Sequence, residues 1–364
     1  MTKEQQALLY LVRLGIGNDT ESGFDFTGVD WRNLVDSSFA QAVPAIAVDG
    51  LQNLYEAHSG LTLDIDNQEL EALKYEWFGS CFSAESDYDR HQSAISEFLK
   101  LCKLQEVKVL LLKGYGLSLN YPIPSHRPCG DIDIYLFGYA EFVCQLVEKH
   151  WKVSVNRSNP HHYVFSRNGI TFENHITLLD VERHRNHFSD EQVFQRLIAE
   201  GCNEIEVGGE KCFVPSVKLN SVYLLRHMSH HFAVKNITLR HILDWALFVK
   251  VNASNIDWDF VYGYAKASGC SPFLNCLNGI CVESLGFAAE NFPVRTRDEK
   301  LQSRMLADIL HPEFDKEIPA TSHTIRYAIA KTRRILANRW KYRMVSDERI
   351  VVTIFNLAKK RIQI

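Results

Sequence analysis

Two aspartates, Asp131 and Asp133, stand one residue apart in RPCGDIDIYL (127–136), a stretch whose other residues read as buried strand. Successive side chains of a strand point to opposite faces, so Ile132, Ile134 and Leu136 share a packing face while Asp131, Asp133 and Tyr135 share the other. Two like charges on one face raise a pKa or recruit a cation. A third carboxylate, Glu173, lies in ITFENHITL, an otherwise apolar strand pattern. Lys113 and Gly114 close the apolar run VKVLLLKG, where glycine lets another group approach the backbone and the N-terminus of a following helix can hold an anion. Carboxylates converging on a strand-built cleft repel one another unless cations bridge them. Two Mg²⁺ ions about 4 Å apart are the common arrangement for phosphoryl and nucleotidyl transfer.

These residues need a scaffold. Up to residue 105 the chain reads as helices: WRNLVDSSFAQAVPAIAVDGLQNLYE is apolar at helical spacing with a break at Pro44, and NQELEALKYEWFGSCFSAESDYDRHQSAISEFLKLCK continues for about ten turns. The pattern changes at VKVLLLKG, expected as a buried strand, and YGLSLNY suits a short helix stopped by Pro122 and Pro124. The aspartate strand follows, then a helix in YAEFVCQLVEKH and strands in WKVSV, HHYVFSR and ITFENHITL. Helical spacing returns after Phe188, interrupted by a hairpin in IEVGGEKCFV around Gly208-Gly209. The expected organisation is α+β: helices over 1–105, a small mixed-sheet core over 106–200 and a helical C-terminal region over 201–364.

Composition is that of an ordinary soluble domain, with 46% hydrophobic and 23% charged residues. No apolar run reaches the length of a transmembrane segment, and the nine cysteines form no CxxC pair, so a soluble protein of the reducing cytoplasm is expected. The net charge of −4 is uneven: residues 322–364 carry 11 Lys/Arg against 2 Asp/Glu, a surplus of 9 that leaves −13 for the rest. Ile325, Ile329, Leu336 and Trp340 stand at helical spacing in this tail, which reads as a solvated amphipathic helix or as a contact for nucleic acid or an anionic membrane.

The motif LLLKGYGLSLNYPIPSHRPCGDIDIYL, with FENHI further on, resembles the bacterial family of uncharacterised nucleotidyltransferases and, more broadly, the superfamily typified by DNA polymerase β. The resemblance extends over about residues 30 to 285 and rests on Lys-Gly, a Tyr-Pro turn, Arg-Pro and Gly-Asp-Ile-Asp in this order. It implies that Asp131, Asp133 and Glu173 hold two Mg²⁺, with Mn²⁺ as the alternative ion. It also implies that Lys113, Gly114, Arg127 and Gly130 hold the triphosphate of an NTP, ATP foremost, and that His175 stands beside Glu173. The reaction would pass a nucleoside monophosphate to an acceptor hydroxyl and release pyrophosphate; small molecule, sugar, protein hydroxyl and RNA end all fit as acceptor. The chain departs from the pattern at Tyr115, where the superfamily has Ser or Gly, in the longer gap from Gly114 to Asp131, and in lacking a Trp after His175. Two other readings therefore stand beside the enzyme: a nucleotide-binding protein of the same fold with weakened turnover, and an RNA-binding module.

His227 and His231 lie at i and i+4 on one helix face but lack the Glu of a zinc HExxH motif. With Arg240 and Asp244 they are expected to shape the substrate pocket. The pairs His161/His162 and His184/His187 have no partner set in the sequence and are assigned no role.

Overall fold

Local signals account for most element boundaries. The side chain of Asp30 caps α2 (Trp31–Ala40) by accepting from the Asn33 amide at 3.0 Å, and Pro44 opens the next helix as the apolar pattern implied. Residues 1–18, 23–57, 67–179, 185–314 and 325–346 are described by the computed structural model. The N-terminal helices are α1 (Lys3–Gly15), α2, α3 (Pro44–Ala57) and α4 (Asn67–Lys103), the last a single helix of 37 residues. The core continues through β1 (Leu110–Leu111), α5 (Tyr115–Ser118), β2 (Ile132–Tyr135), α6 (Ala140–Trp151), β3 (His162–Arg167), β4 (Ile170–His175) and α7 (Arg185–Glu200). Next come β5 (Cys202–Val207), β6 (Glu210–Pro215), α8 (Val217–Val234), α9 (Leu239–Val251), α10 (Trp258–Ala267), α11 (Ser271–Glu283) and α12 (Glu299–Leu310). The helices α13 (Ile325–Ala337) and α14 (Arg339–Val345) are the last described.

The fold is α+β, with one mixed six-stranded sheet ordered β3-β4-β2-β1-β6-β5. Strands β2 and β4 run parallel, as do β1 and β6, and the other neighbours are antiparallel. Ile132 and Ile134 pack with Phe172, Phe165 and Val143 against Ile95 and Phe98 of α4, so α4 and α6 cover one face of the sheet. On the opposite face Leu110 and Tyr135 join the large helical core around Val222, Tyr223 and Phe194. The expected alternation of β2 therefore holds, and Asp133 falls on the side facing α8.

Three expectations change. WKVSV is not a strand: Trp151 ends α6, Lys152 adopts the left-handed conformation (φ 57°), Val153 and Val155 pack against the sheet's core by side chain, and backbone pairing is limited to an isolated bridge at the next residue, Asn156–Val164. The β5–β6 hairpin, placed by periodicity in the helical C-terminal region, belongs to the sheet instead, because Phe213 pairs with Leu110 and its amide donates to the Val109 carbonyl at 2.8 Å. The sheet thus crosses the boundary drawn at residue 200. The apolar stripe expected in the basic tail is also redrawn, because Ile329 and Leu336 are exposed. Ile335, Trp340, Met344 and Val345 are buried, and the fully buried Lys341 pairs with Asp308 and donates to Asn236 Oδ1 at 2.9 Å. Positions 322–324 and 347–364 of that tail, and His184, lie outside the described residues.

Candidate active site

The sheet positions the carboxylates. The parallel register of β2 and β4 sets Asp133 beside Glu173 and Tyr135 beside His175. Asp131 precedes β2 and is exposed, whereas Asp133 is buried. The two aspartates therefore differ in environment rather than sharing one charge problem. Asp133 Oδ1 accepts from Lys113 Nζ and from His175 Nε2, each at 2.9 Å. Burial alone would raise the Asp133 pKa, but the Lys113 ammonium and the His175 hydrogen bond outweigh it and hold this carboxyl well below the usual range. The sequence led us to expect a raised pKa or a recruited cation, and the cation that answers Asp133 here is Lys113. For Lys113 itself burial opposes the charge, and Asp133 more than compensates, so its pKa stands above the ordinary lysine value. Glu173 is partly exposed, with His175 Nε2 at 3.7 Å and His162 Nε2 at 3.9 Å.

A cavity of about 580 Å³ opens over these groups. Its far wall is α8 and α9, which contribute His227, His231, Arg240, His241 and Asp244. Lys113 Nζ lies 3.1 Å from His227 Nε2, which must accept because an ammonium only donates. Burial first, then the Lys113 charge, pushes the His227 pKa well down. The same causes lower His231 to about 4, and burial with the Arg240 charge lowers His241 to about 3. The His227 and His231 rings, 4.2 Å apart between centroids, are thus neutral polar surface beside an ammonium.

Arg127 has a different occupation from the one the motif implied. It is buried, and its Nε and Nη2 meet the two oxygens of Asp244 at 2.7 and 2.9 Å while Nη1 donates to the Pro128 carbonyl at 3.1 Å. Tyr121 donates its hydroxyl to the same Asp244 Oδ1 at 2.8 Å. The guanidinium thereby ties the loop after α5 to α9, with three of its five N–H donors engaged inside the protein. Gly114 takes φ 58° and ψ −112° at the start of α5, a region closed to most L-residues. Gly130 gives its carbonyl to His91 Nε2 of α4 at 2.7 Å. Tyr115, where a hydroxyl was expected near phosphate, stacks on Tyr88 at 5.2 Å and accepts from Gln92 at 3.0 Å, so its ring belongs to the α4 interface.

The residues the sequence assigned to the site all border this one cavity: Lys113, Gly114, Arg127, Gly130, Asp131, Asp133, Glu173, His175, His227, His231, Arg240 and Asp244. His161 and His162, which were assigned no role, and Tyr223 and His241, which the sequence did not flag, border it too. The first two carried only the weak signal of adjacent histidines; the others look like ordinary helix residues. Among the described residues, two groups could hold a metal ion: Asp133, Glu173 and His175, and His161, His162 and His175, with ligand atoms mutually within 4.8 Å in each.

Carboxylates on adjoining strands, a lysine at the mouth of a glycine turn and a deep polar cavity define a site suited to transfer of a phosphorus-bearing group. A family model described as uncharacterised nucleotidyltransferase matches residues 27–286, and the chain belongs to that family. No curated protein and no solved structure matches it. Nucleotidyl transfer is accordingly its general role, and no helix among the described residues is long and apolar enough to cross a membrane.

Proposed function

We propose that this protein transfers a nucleoside monophosphate from an NTP, ATP foremost, to an acceptor hydroxyl and releases pyrophosphate. The observation that carries the reading is the lateral pairing of Asp133 with Glu173 at the floor of the cavity, with Asp131 at its rim. The donor set fits hard divalent cations: three carboxylates reach the cavity, and Asp133 and Glu173 have oxygens within 4.8 Å of one another and of a His175 nitrogen. Asp131, Asp133 and Glu173 would hold two Mg²⁺, or Mn²⁺. Such ions supply charge neutralisation at the transferring phosphorus and its leaving group.

The chain's own residues do the rest. Lys113, which balances Asp133 and borders the cavity, would turn its ammonium to a phosphate oxygen as a point charge. Gly114 leaves the backbone open for close approach. Glu173, partly exposed, would take the acceptor's proton. Arg127 acts through Asp244 by fixing the loop that carries Gly130 and Asp131, a positioning role that replaces the direct phosphate contact implied by the motif. With the nine cysteines all unpaired, we assign the protein to the cytoplasm.

A second reading, nucleotide binding without turnover, draws on Tyr115, whose position at the α4 interface supplies no hydroxyl to the cavity. One experiment separates the two. Pyrophosphate release and Mg²⁺-dependent thermal stabilisation by each NTP are measured for the native chain, Asp131→Asn, Asp133→Asn and Glu173→Gln. Transfer requires turnover in the native chain, its loss in both aspartate variants, and a larger effect of Glu173→Gln on turnover than on nucleotide stabilisation. Stabilisation without turnover on any acceptor supports the binding protein, and full turnover in Asp133→Asn refutes the carboxylate assignment.

A further inference from the structure

The antiparallel register of β3 and β4 places His162 directly opposite His175, and His161 is held over the same end of the sheet because its carbonyl accepts from the Ile176 amide at 2.9 Å. Three imidazoles therefore meet at the cavity wall. Their ring centroids are 5.3 Å apart for His161–His175 and 5.5 Å for each of the other two pairs, and one nitrogen from each lies within 4.8 Å of the others.

Hydrogen bonding sets two of the tautomers. The Thr177 hydroxyl gives its single proton to the Leu179 carbonyl at 2.7 Å, so His161 Nδ1, 2.7 Å from Thr177 Oγ1, must donate to it. His175 Nε2 faces a carboxylate that can only accept, so it carries the proton, and in the neutral ring the lone pair is on Nδ1. That Nδ1 is buried and has no hydrogen-bond partner, a cost that a ligand to this nitrogen would relieve. The pairing of His175 with Asp133, and of His161 with Thr177, is the outer-partner pattern that orients metal-binding imidazoles. Glu173 Oε1, 3.9 Å from His162 Nε2, adds negative charge beside the group.

We propose that His161, His162 and His175 form a binding site for a divalent transition-metal ion, Zn²⁺ first, distinct from the carboxylate site but sharing His175 with it and lying beside Glu173. Three imidazoles suit Zn²⁺ and exclude Mg²⁺, which demands oxygen ligands. Zn–N bonds of about 2.0–2.1 Å require the nitrogens to close by on the order of 1 Å, within reach of side-chain rotation. All three residues border the cavity, and a site of three imidazoles leaves a fourth coordination position for a further ligand.

The test uses the full chain, stripped with chelator and dialysed against Zn²⁺ in excess Mg²⁺. One Zn²⁺ per chain is expected, weakened at least about 100-fold in His161→Asn and in His162→Asn, and about 10-fold in Thr177→Val, which removes only the outer partner. Co²⁺ in the native chain should give the intense visible absorption of a four-coordinate nitrogen site, a readout independent of how the variants fold. Glu173→Gln should keep the Zn²⁺ stoichiometry at one while impairing nucleotide turnover, so failure of the imidazole site and failure of the transferase reading are told apart. Absence of Zn²⁺ binding, binding unchanged in both histidine variants, or binding lost in Glu173→Gln but kept in His161→Asn would overturn the proposal.

Discussion

Replacing Arg127 by Met tests whether that guanidinium is structural or holds phosphate. The side chain is buried, meets both oxygens of Asp244 at 2.7 and 2.9 Å, and leaves Asp244 only the Tyr121 hydroxyl at 2.8 Å when removed. Stranding a buried carboxylate in this way costs about 3–5 kcal/mol. For a chain of this size, about 2 °C of melting temperature per kcal/mol translates that into a fall of about 6–10 °C. Removing both charges in Arg127→Met/Asp244→Leu eliminates the stranded ion. Tyr121 then keeps the Arg240 carbonyl at 3.4 Å as an acceptor, so the double variant should lose no more than about 2 kcal/mol, less than either single change. Thermal and urea denaturation followed by circular dichroism give these values, and nucleotide-dependent stabilisation gives affinity in the same samples. A native melting temperature in Arg127→Met, combined with a tenfold or greater loss of NTP affinity, would refute the positioning role and return Arg127 to the triphosphate.

Two further outcomes follow from the cavity. His227, His231 and His241 have depressed pKa values, to about 4 for His231 and about 3 for His241, while their unfolded counterparts titrate near about 6.5. Between those limits the unfolded chain binds more protons, so these residues should make stability fall as pH drops from about 6.5 towards about 4; rings titrating near 6.5 in a folded-state NMR series would contradict this. Gly114→Ala should cost about 1–3 kcal/mol through backbone strain alone, since the added Cβ would sit 3.7 Å from the Asp131 carbonyl oxygen, an ordinary contact. An unchanged denaturation midpoint would show that the turn relaxes without penalty.

Much of the local structure was legible. The turn residues bounding YAEFVCQLVEKH and the alternation in HHYVFSR and ITFENHITL correspond to α6, β3 and β4, and Gly208-Gly209 marks the hairpin turn. These features are set within a few residues, where periodicity and turn chemistry act. WKVSV shows the limit: its composition suits a strand, but past the left-handed Lys152 that ends α6 the chain makes only a single bridge to the sheet, at Asn156. Composition records a residue's preference and leaves open whether a neighbouring strand is present to pair with it.

The chemistry of the site divides along the same line. The sequence by itself determined which residue types are available: carboxylates at 131, 133 and 173, the Lys113-Gly114 turn, and the isoleucines that bury one face of β2. Only the tertiary structure decided their partners. Arg127 is claimed by Asp244, 117 positions away, and Asp133 by His175, 42 positions away. The adjacent histidines 161 and 162 gain a third imidazole only through the β3–β4 register, and the hairpin enters the sheet only because β6 lies beside β1. Desolvation and Coulomb energies belong to pairs of groups in a shared low-dielectric space, and strand order and register create that sharing over separations that no local period can encode.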